Sequence, residues 1–376
     1  MAIVGFVANH LERGGGLELY ELAMAEGLHS RGWDVIVAYE HDGDLSERWR
    51  ALASTIERFD GEQLPPMLKQ ADVLYVHPTS VIPLVGRFGA AEHIPVVAHL
   101  HLPPESLRTG WKALVRGRRR SGHPEAEMLA ADSGISRFLA VSDHTAALWR
   151  RFGLPAERIG VVHNGVDLDR FRPAGDEERA ATRRELGIEP EAIVIGFVGR
   201  IDPTKGIEQL LDAFADVVKD ERNGEVVLAV LGEASRHSGG AASPYTAGLT
   251  ARQVPGVRWL GRRGDPERIV RCFDLLVVPS QWDEPFGLVA IEAMASGVAV
   301  LAARRGGLPE IFGDRFPGQL VEPTAPELAT AIRRTIAVPA RLRTLGRASR
   351  AHVESRFSLT GAVKETERQL MNVLQR

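Results

Sequence analysis

The sequence predicts an α/β protein made of two doubly wound domains, each built on a parallel sheet. Short apolar runs rich in Val and Ile alternate with amphipathic stretches, as is typical of parallel strands covered by helices on both faces. The series of runs starts again after a polar break at residues 173–176. The chain has 376 residues, more than the roughly 250–300 that a single hydrophobic core usually holds.

The first half of the chain contains six apolar runs of strand length. Two amphipathic stretches between them, Leu17–Ser30 and His144–Phe152, have the spacing of helices. The predicted strands are Ile3–Ala8, Val35–Tyr39, Val73–Val76, Val96–Leu100, Phe138–Val141 and Gly160–Val162.

The second half repeats this alternation after a charged helix predicted at Glu177–Leu186. A last helix is predicted at Leu359–Leu374 from apolar residues at helical spacing. We place the boundary near residues 165–175 and expect a cleft between the domains, with ligands beyond the carboxyl ends of the strands. The predicted strands are Ala192–Val198, Val226–Leu231, Val257–Leu260, Leu275–Val278 and Val298–Ala302.

Composition argues against several classes of protein. The formal net charge is −3, so no global field draws the chain to nucleic acid or to a membrane. One cysteine, Cys272, excludes a disulfide framework within the chain. The start of the sequence is predicted to be a strand and no apolar run reaches the ~20 residues of a membrane span, so we expect a cytoplasmic protein. The basic run Arg116–Arg120 is usually a solvated face, but it could meet an acceptor phosphate or the inner face of a membrane.

The strongest site signal follows the predicted strand Leu275–Val278. Pro285 keeps Glu284 extended, so Glu284 belongs to a loop and the helix starts after it. The N–H groups at Phe286–Val289 then form an anion site at the helix start. Glu292 lies inside this helix among apolar neighbours. A buried carboxylate needs hydrogen-bond partners, which a ribose diol would supply, although a structural ion pair or a solvated side chain is an equal alternative.

A second signal follows the predicted strand Ala192–Val198. Gly199 and Gly206 bracket a loop that contains Arg200 and Lys205. Two cations that converge above a strand end would stabilise a diphosphate leaving group, on which negative charge develops. A solvated pair of surface cations is the weaker alternative.

Two further signals are weaker. Gly14–Gly16 precedes a predicted helix, which suits close approach to phosphate or sugar, but a simple turn is the simpler interpretation. His99 and His101 alternate at the end of the strand Val96–Leu100. A metal pair is conceivable there, but no third ligand is evident nearby, and we expect no metal site.

In combination, these motifs resemble the retaining glycosyltransferases of family 4, which have the two-domain GT-B fold. The resemblance covers nearly the whole chain, and its specificity lies in the order of the motifs. They are the Gly-rich loop, His101, Ser142, Asn164–Asp167, Gly199–Gly206, Glu284 with Glu292, and Gly306–Glu310. The glycine usual in this family soon after the strand ending at Gly232 is replaced by an inserted loop rich in Ser and Gly.

The resemblance implies two doubly wound, Rossmann-like domains that face each other across a cleft. Residues 1–170 would bind the acceptor, with 359–376 packing back on that domain, and residues 171–358 would bind the donor. Arg200 and Lys205 would hold the donor diphosphate, while Glu284 and His101 would lie beside the donor sugar. The remaining donor contacts would be Gly15, Gly16, Arg262, Phe286, Gly287, Leu288, Val289 and, at the ribose, Glu292.

The implied reaction moves a sugar from a nucleotide-diphosphate donor to a hydroxyl group with retention, giving an α-linkage. UDP-sugars are favoured over GDP-sugars by family frequency, and the acceptor could be a sugar, a lipid-linked molecule or a small molecule. No cofactor, metal or nucleic acid is expected. Two alternatives remain, a same-fold enzyme such as an epimerase or phosphorylase, and a non-catalytic two-lobed sugar-binding protein.

Overall fold

The computed structural model describes residues 1–13, 16–77, 80–104, 134–219, 225–234 and 244–375. The chain divides into two compact units. The N-terminal unit comprises Met1–Gly165 together with Leu359–Arg376, and the C-terminal unit comprises Val166–Ser358. The boundary predicted from the sequence, after residue 170, lies five residues later.

The N-terminal unit is built on a seven-stranded sheet in the order β3-β2-β1-β4-β5-β6-β7, and all its pairs are parallel. The chain leaves β1 towards β2 and β3, then returns to β1's other side with β4, so the winding direction changes between β1 and β4. The strands are β1 (Ile3–His10), β2 (Asp34–His41), β3 (Thr55–Arg58), β4 (Val73–Val76), β5 (Val96–Leu100), β6 (Arg137–Ala140) and β7 (Ile159–Val161). The described helices before β7 are α1 (Gly16–Ser30), α2 (Ser46–Leu52), α3 (Ile82–Glu92) and α4 (Asp143–Phe152).

The C-terminal unit has a six-stranded parallel sheet in the order β10-β9-β8-β11-β12-β13, whose winding direction changes between β8 and β11. The strands are β8 (Ile193–Val198), β9 (Val226–Leu231), β10 (Val257–Gly261), β11 (Leu275–Val278), β12 (Ala299–Ala303) and β13 (Leu320–Val321). The helices are α5 (Asp176–Glu185), α6 (Ile207–Val217), α7 (Pro244–Thr250), α8 (Pro266–Val270), α9 (Leu288–Ala295), α10 (Leu308–Phe312), α11 (Ala325–Ile336) and α12 (Pro339–Arg356).

The final helix, α13 (Leu359–Leu374), belongs to the N-terminal unit and packs on α1. Close contact is possible because α1 carries Gly27 at the crossing. A Cβ added there would lie 2.5 Å from Cγ2 of Val363, closer than any van der Waals contact allows. Arg31 and Trp33 also donate hydrogen bonds to Glu367.

Apolar side chains fill both faces of each sheet. In the N-terminal unit β4 and β5 are buried along their whole length, and in the C-terminal unit β9, β11 and β12 are. Continuous burial is the pattern expected of inner parallel strands. Polar and charged groups are therefore concentrated at the strand ends, where the loops begin.

Candidate active site

The loop after β8 has a conformation that requires glycine at its end. Asp202 caps the short 3-10 turn Pro203–Lys205 by accepting a hydrogen bond from the Thr204 N–H at 3.0 Å. Gly206 follows with φ 71°, and a Cβ there would lie 1.9 Å from the carbonyl oxygen of Pro279. The loop after β8 is thus pressed against the start of the loop after β11, its neighbour in the sheet.

This contact brings Lys205 to Glu284. The Lys205 Nζ lies 2.6 Å from Oε1 of Glu284, and the Ser280 hydroxyl donates to the same oxygen at 2.6 Å. Glu284 is only 8% exposed. Burial raises the pKa of Glu284, but the charge of Lys205 and the hydrogen bonds from Lys205 and Ser280 outweigh it. The pKa of Glu284 therefore lies below its usual range, and the carboxylate is ionised at neutral pH.

The loop after β12 supports Glu284 from its backbone. The Gly307 N–H donates to the carbonyl oxygen of Glu284 at 2.7 Å. At Gly306, φ is 59° and a Cβ would lie 2.2 Å from that same carbonyl oxygen. Gly306 and Gly307 therefore fix the position of Glu284 within this unit.

Helix α9 begins at Leu288, after Pro285, as the sequence predicts. Its N-cap residue is Gly287 in the left-handed conformation with φ 115°, and Phe286 is buried. The N–H groups of the first turn have no acceptor within the helix. Leu288 and Val289 therefore present backbone donors and the positive end of the helix dipole four residues beyond Glu284.

Glu292 lies in the second turn of α9 and is partly exposed. Burial raises its pKa to about 7, with the charge of Arg170 lowering it and that of Glu267 raising it. No side-chain hydrogen bond or ion pair to Glu292 occurs among the described residues of the protein. The structural ion pair that we considered for Glu292 from the sequence is therefore not observed.

The two arginines predicted to contact the donor are more exposed than Lys205. The Arg200 side chain is 58% exposed and its Nε lies 3.7 Å from Asp202. Arg262 lies 3.4 Å from Glu233. Lys205 and Arg200 contact different carboxylates, so the expected convergence of the two cations on one point is not present here.

In the N-terminal unit the predicted site residues fall on two loops, the one after β1 and the one after β5. Gly16 is the first residue of α1, whereas Gly14 and Gly15 lie outside the described residues. His101 follows β5 and is buried, and its Nε2 lies 3.0 Å from Nδ1 of His77. The expectation that no third possible metal ligand lies near His99 and His101 is therefore wrong. His77 follows β4, which pairs with β5, so its proximity depends on strand pairing.

Two family models match the chain. The model described as glycosyl transferases group 1 matches residues 178–352, and that described as Glycosyltransferase Family 4 matches residues 14–170. Together they show that the chain belongs to glycosyltransferase family 4. The matched residues include Gly16, His101, Lys205, Glu284 and Glu292.

Curated relatives of this family 4 chain share sequence over part of their length. The D-inositol 3-phosphate glycosyltransferase of Segniliparus rotundus is 41% identical over 240 residues, which cover 60% of this chain and 51% of that protein. D-inositol 3-phosphate glycosyltransferase 2 of Catenulispora acidiphila is 36% identical over 255 residues, covering 65% and 58%. The chain thus spans about half the length of the curated relatives it matches.

Solved structures confirm the predicted GT-B fold class. Anabaena Alr3699/HepE in complex with UDP and glucose superposes with a TM-score of 0.83 at 21% identity, over 99% of this chain and 100% of that chain. Sucrose-phosphate synthase of Thermosynechococcus elongatus superposes with a TM-score of 0.76 at 23% identity, over the whole of both chains.

The predicted membrane contact at Arg116–Arg120 lies outside the described residues. Within the described ranges no helix is both long and apolar enough to cross a membrane.

Proposed function

We propose that this chain is a retaining glycosyltransferase whose C-terminal unit binds a nucleotide-diphosphate sugar. The observation that carries the proposal is the Lys205–Glu284 pair at the ends of neighbouring strands β8 and β11, four residues before the N-terminus of α9. A cation and a helix start at the carboxyl edge of a parallel sheet, where the winding direction changes, form an anion site of the kind that binds nucleotides.

The donor diphosphate would lie against the Leu288 and Val289 N–H groups, with Lys205 donating to a phosphate oxygen. Glu284 holds Lys205 in place through their 2.6 Å ion pair. Arg200 has the exposure and length to turn from Asp202 towards the same phosphates. Glu292 has an elevated pKa. Its carboxylate would accept hydrogen bonds from both ribose hydroxyls.

The transfer we propose needs no metal ion at the diphosphate. The bond between the anomeric carbon and the β-phosphate oxygen breaks while the acceptor oxygen bonds to that carbon from the same face, giving an α-linked product. The acceptor proton passes to a β-phosphate oxygen. Lys205 and the α9 N–H groups stabilise the negative charge on the leaving diphosphate. The roles of Gly15, Gly16, Arg262, Phe286, Gly287 and His101 at the donor stay predictions.

The donor we favour carries UDP, and GDP is the alternative. Solved structures with this fold include Anabaena Alr3699/HepE in complex with UDP-glucose, and that likeness supports starting with UDP-sugars. The names of the curated relatives make D-inositol 3-phosphate the first acceptor to test. We place the enzyme in the cytoplasm, where such donors are made.

The experiment is a thermal-shift panel of UDP-, GDP-, ADP- and TDP-sugars, followed by release of free nucleotide with D-inositol 3-phosphate and other hydroxyl acceptors. We expect one nucleotide series to raise the melting temperature, and nucleotide release to depend on the acceptor. Donor consumption without an acceptor would favour an epimerase, and binding without turnover a sugar-binding protein. A flat panel would contradict the proposal.

A further inference from the structure

Three histidines meet at the carboxyl ends of β4 and β5. The strands are parallel with Val76 opposite Ala98, so His77 continues β4 beside His99. His101 lies two residues further along, on the same face. The ring centroids of His77, His99 and His101 are 4.3–5.2 Å apart, and one ring nitrogen from each lies within 4.8 Å of the other two.

We propose that His77, His99 and His101 form a binding site for one divalent transition-metal ion of the zinc class. The inference does not depend on the proposed transferase activity. Three imidazoles that converge from two neighbouring strands match the ligand type that zinc, cobalt and nickel prefer. Three protein ligands leave a fourth position for water or another oxygen, as in catalytic rather than structural zinc sites.

The spacing of the nitrogens suits such an ion. The His77 Nδ1 and the His101 Nε2 are 3.0 Å apart. Two nitrogens at the usual Zn–N distance of about 2.0–2.1 Å in a tetrahedral site lie roughly 3.3 Å from each other. If a metal ion replaced the proton that these two rings share, their nitrogens would therefore have to move apart by a few tenths of an ångström.

The surroundings of the cluster support it as a ligand set. The Tyr75 hydroxyl lies 2.6 Å from Nδ1 of His99. An outer partner of this kind orients metal-ligating histidines, and a metal would have to take Nε2 of His99.

A purely hydrogen-bonded cluster is the competing interpretation. It accounts for the contact between His77 and His101. It leaves the buried Nε2 of His99, the atom that a metal would take, without a partner among the described residues. A buried polar atom without a partner costs free energy, and coordination of a metal ion would remove that cost.

The test is titration of the full chain with Zn²⁺ by calorimetry, after removal of metals, and with Co²⁺ by visible absorption. Exposed His10 and His41 stack on each other at 4.7 Å, so the titrations are made in a H10Q/H41Q background. We expect one Zn²⁺ per chain and a tetrahedral Co²⁺ spectrum. H77Q should weaken binding about 100-fold or more, and the exposed-site control H29Q should not change it.

A second variant controls for misfolding of H77Q. H77C keeps a metal ligand at the same place, and we expect its Co²⁺ complex to gain a thiolate charge-transfer band in the near ultraviolet. A structural role alone would not produce this band. No Zn²⁺ uptake by the H10Q/H41Q chain, or equal uptake by its H77Q derivative, would overturn the proposal.

Discussion

The Lys205 ammonium and the Glu284 carboxylate form a buried ion pair at 2.6 Å between the loops after β8 and β11. Their side chains are 19% and 10% exposed. A cation held so far out of water is positioned by its partner and loses little freedom when an anion arrives. This pair is therefore the part of the C-terminal unit that we expect to govern turnover.

Replacing Lys205 with alanine should lower turnover much more than substrate binding. One preorganised donor to a developing anion contributes about 10²–10³ in rate. Steady-state nucleotide release measures this loss. The matched control is Lys219→Ala, an exposed lysine of the same unit, for which turnover should stay within twofold. A folded Lys205→Ala protein with native turnover would contradict the proposed function.

Glu284→Gln should destabilise the protein at neutral pH but not in acid. The pKa of Glu284 is depressed in the folded state, so its stabilising effect is present above the unfolded pKa and is lost as pH falls through the folded value. We expect a cost of about 1–3 kcal/mol at pH 7, the range for hydrogen bonds to a charged group. Urea unfolding at pH 7 and pH 3.5 measures it, and an equal cost at both values would refute the assignment.

Glu292→Gln should weaken UDP binding about 10-fold or more, because hydrogen bonds to a charged acceptor contribute ~1.5–3 kcal/mol. With a pKa of about 7, the native carboxylate is ionised at pH 8 and largely protonated at pH 6. Native affinity should therefore rise between these values, while that of Glu292→Gln stays flat. Calorimetry of UDP binding tests this, with exposed Glu208→Gln as the control.

The same elevated pKa of Glu292 has the opposite effect on stability. A folded-state pKa above the unfolded value makes the protein less stable as pH rises from about 4.5 to 7. Glu292→Gln should thus have a higher melting temperature than the native chain at pH 8, with the difference vanishing near pH 4.5. A difference that does not depend on pH would show that Glu292 does not titrate in this range.

Gly306→Ala should lower both stability and turnover. The added Cβ meets the Glu284 backbone at 2.2 Å, and φ at Gly306 is 59°, so strain of about 1–3 kcal/mol is expected. Gly264→Ala, which has open space around it, should change stability by less than about 0.5 kcal/mol. Thermal unfolding and nucleotide release compare the two. Equal effects in both variants would mean that the loop after β12 does not position Glu284.

The effect of Gly27→Ala on stability should change sign when Val363, which packs against Gly27, is also replaced. In the native chain its Cβ meets Val363 at 2.5 Å and should destabilise the N-terminal unit. In a Val363→Ala background the nearest atom opposite is the Cβ at 3.3 Å, and the helix propensity of alanine, up to about 1 kcal/mol, should outweigh the remaining crowding. Chemical unfolding of the four proteins of this cycle measures the coupling. Additive effects would show that α13 does not pack on α1 at Gly27.

Most inner strands and the helices α1, α4 and α13 were predicted from the sequence, whereas α12, the longest described helix, was not. Val73–Val76, Val96–Leu100, Val226–Leu231 and Leu275–Val278 agree with the structure to the residue, because inner parallel strands are continuous apolar runs. The edge strands β3 and β13 were missed. Thr55–Arg58 is half polar and Leu320–Val321 has only two residues, so neither has a periodic signal.

The motifs of the candidate site were also recognised in the sequence, but two side-chain contacts were not predicted. Glu284 lies 79 residues after its partner Lys205, and His77 lies 24 residues before its partner His101. Both pairs meet because their strands are neighbours in a sheet. Strand order is a tertiary property that local patterns do not encode, so Lys205 was expected to turn towards Arg200.

Helix α13 completes the N-terminal unit with the last segment of the sequence. During synthesis on the ribosome, the whole C-terminal unit emerges before the residues that cover α1 are available. Domains usually fold in the order in which they are synthesised, but here the second unit can finish first. Until Leu359–Leu374 emerges, the face of α1 that carries Gly27 is an exposed surface on the nascent chain.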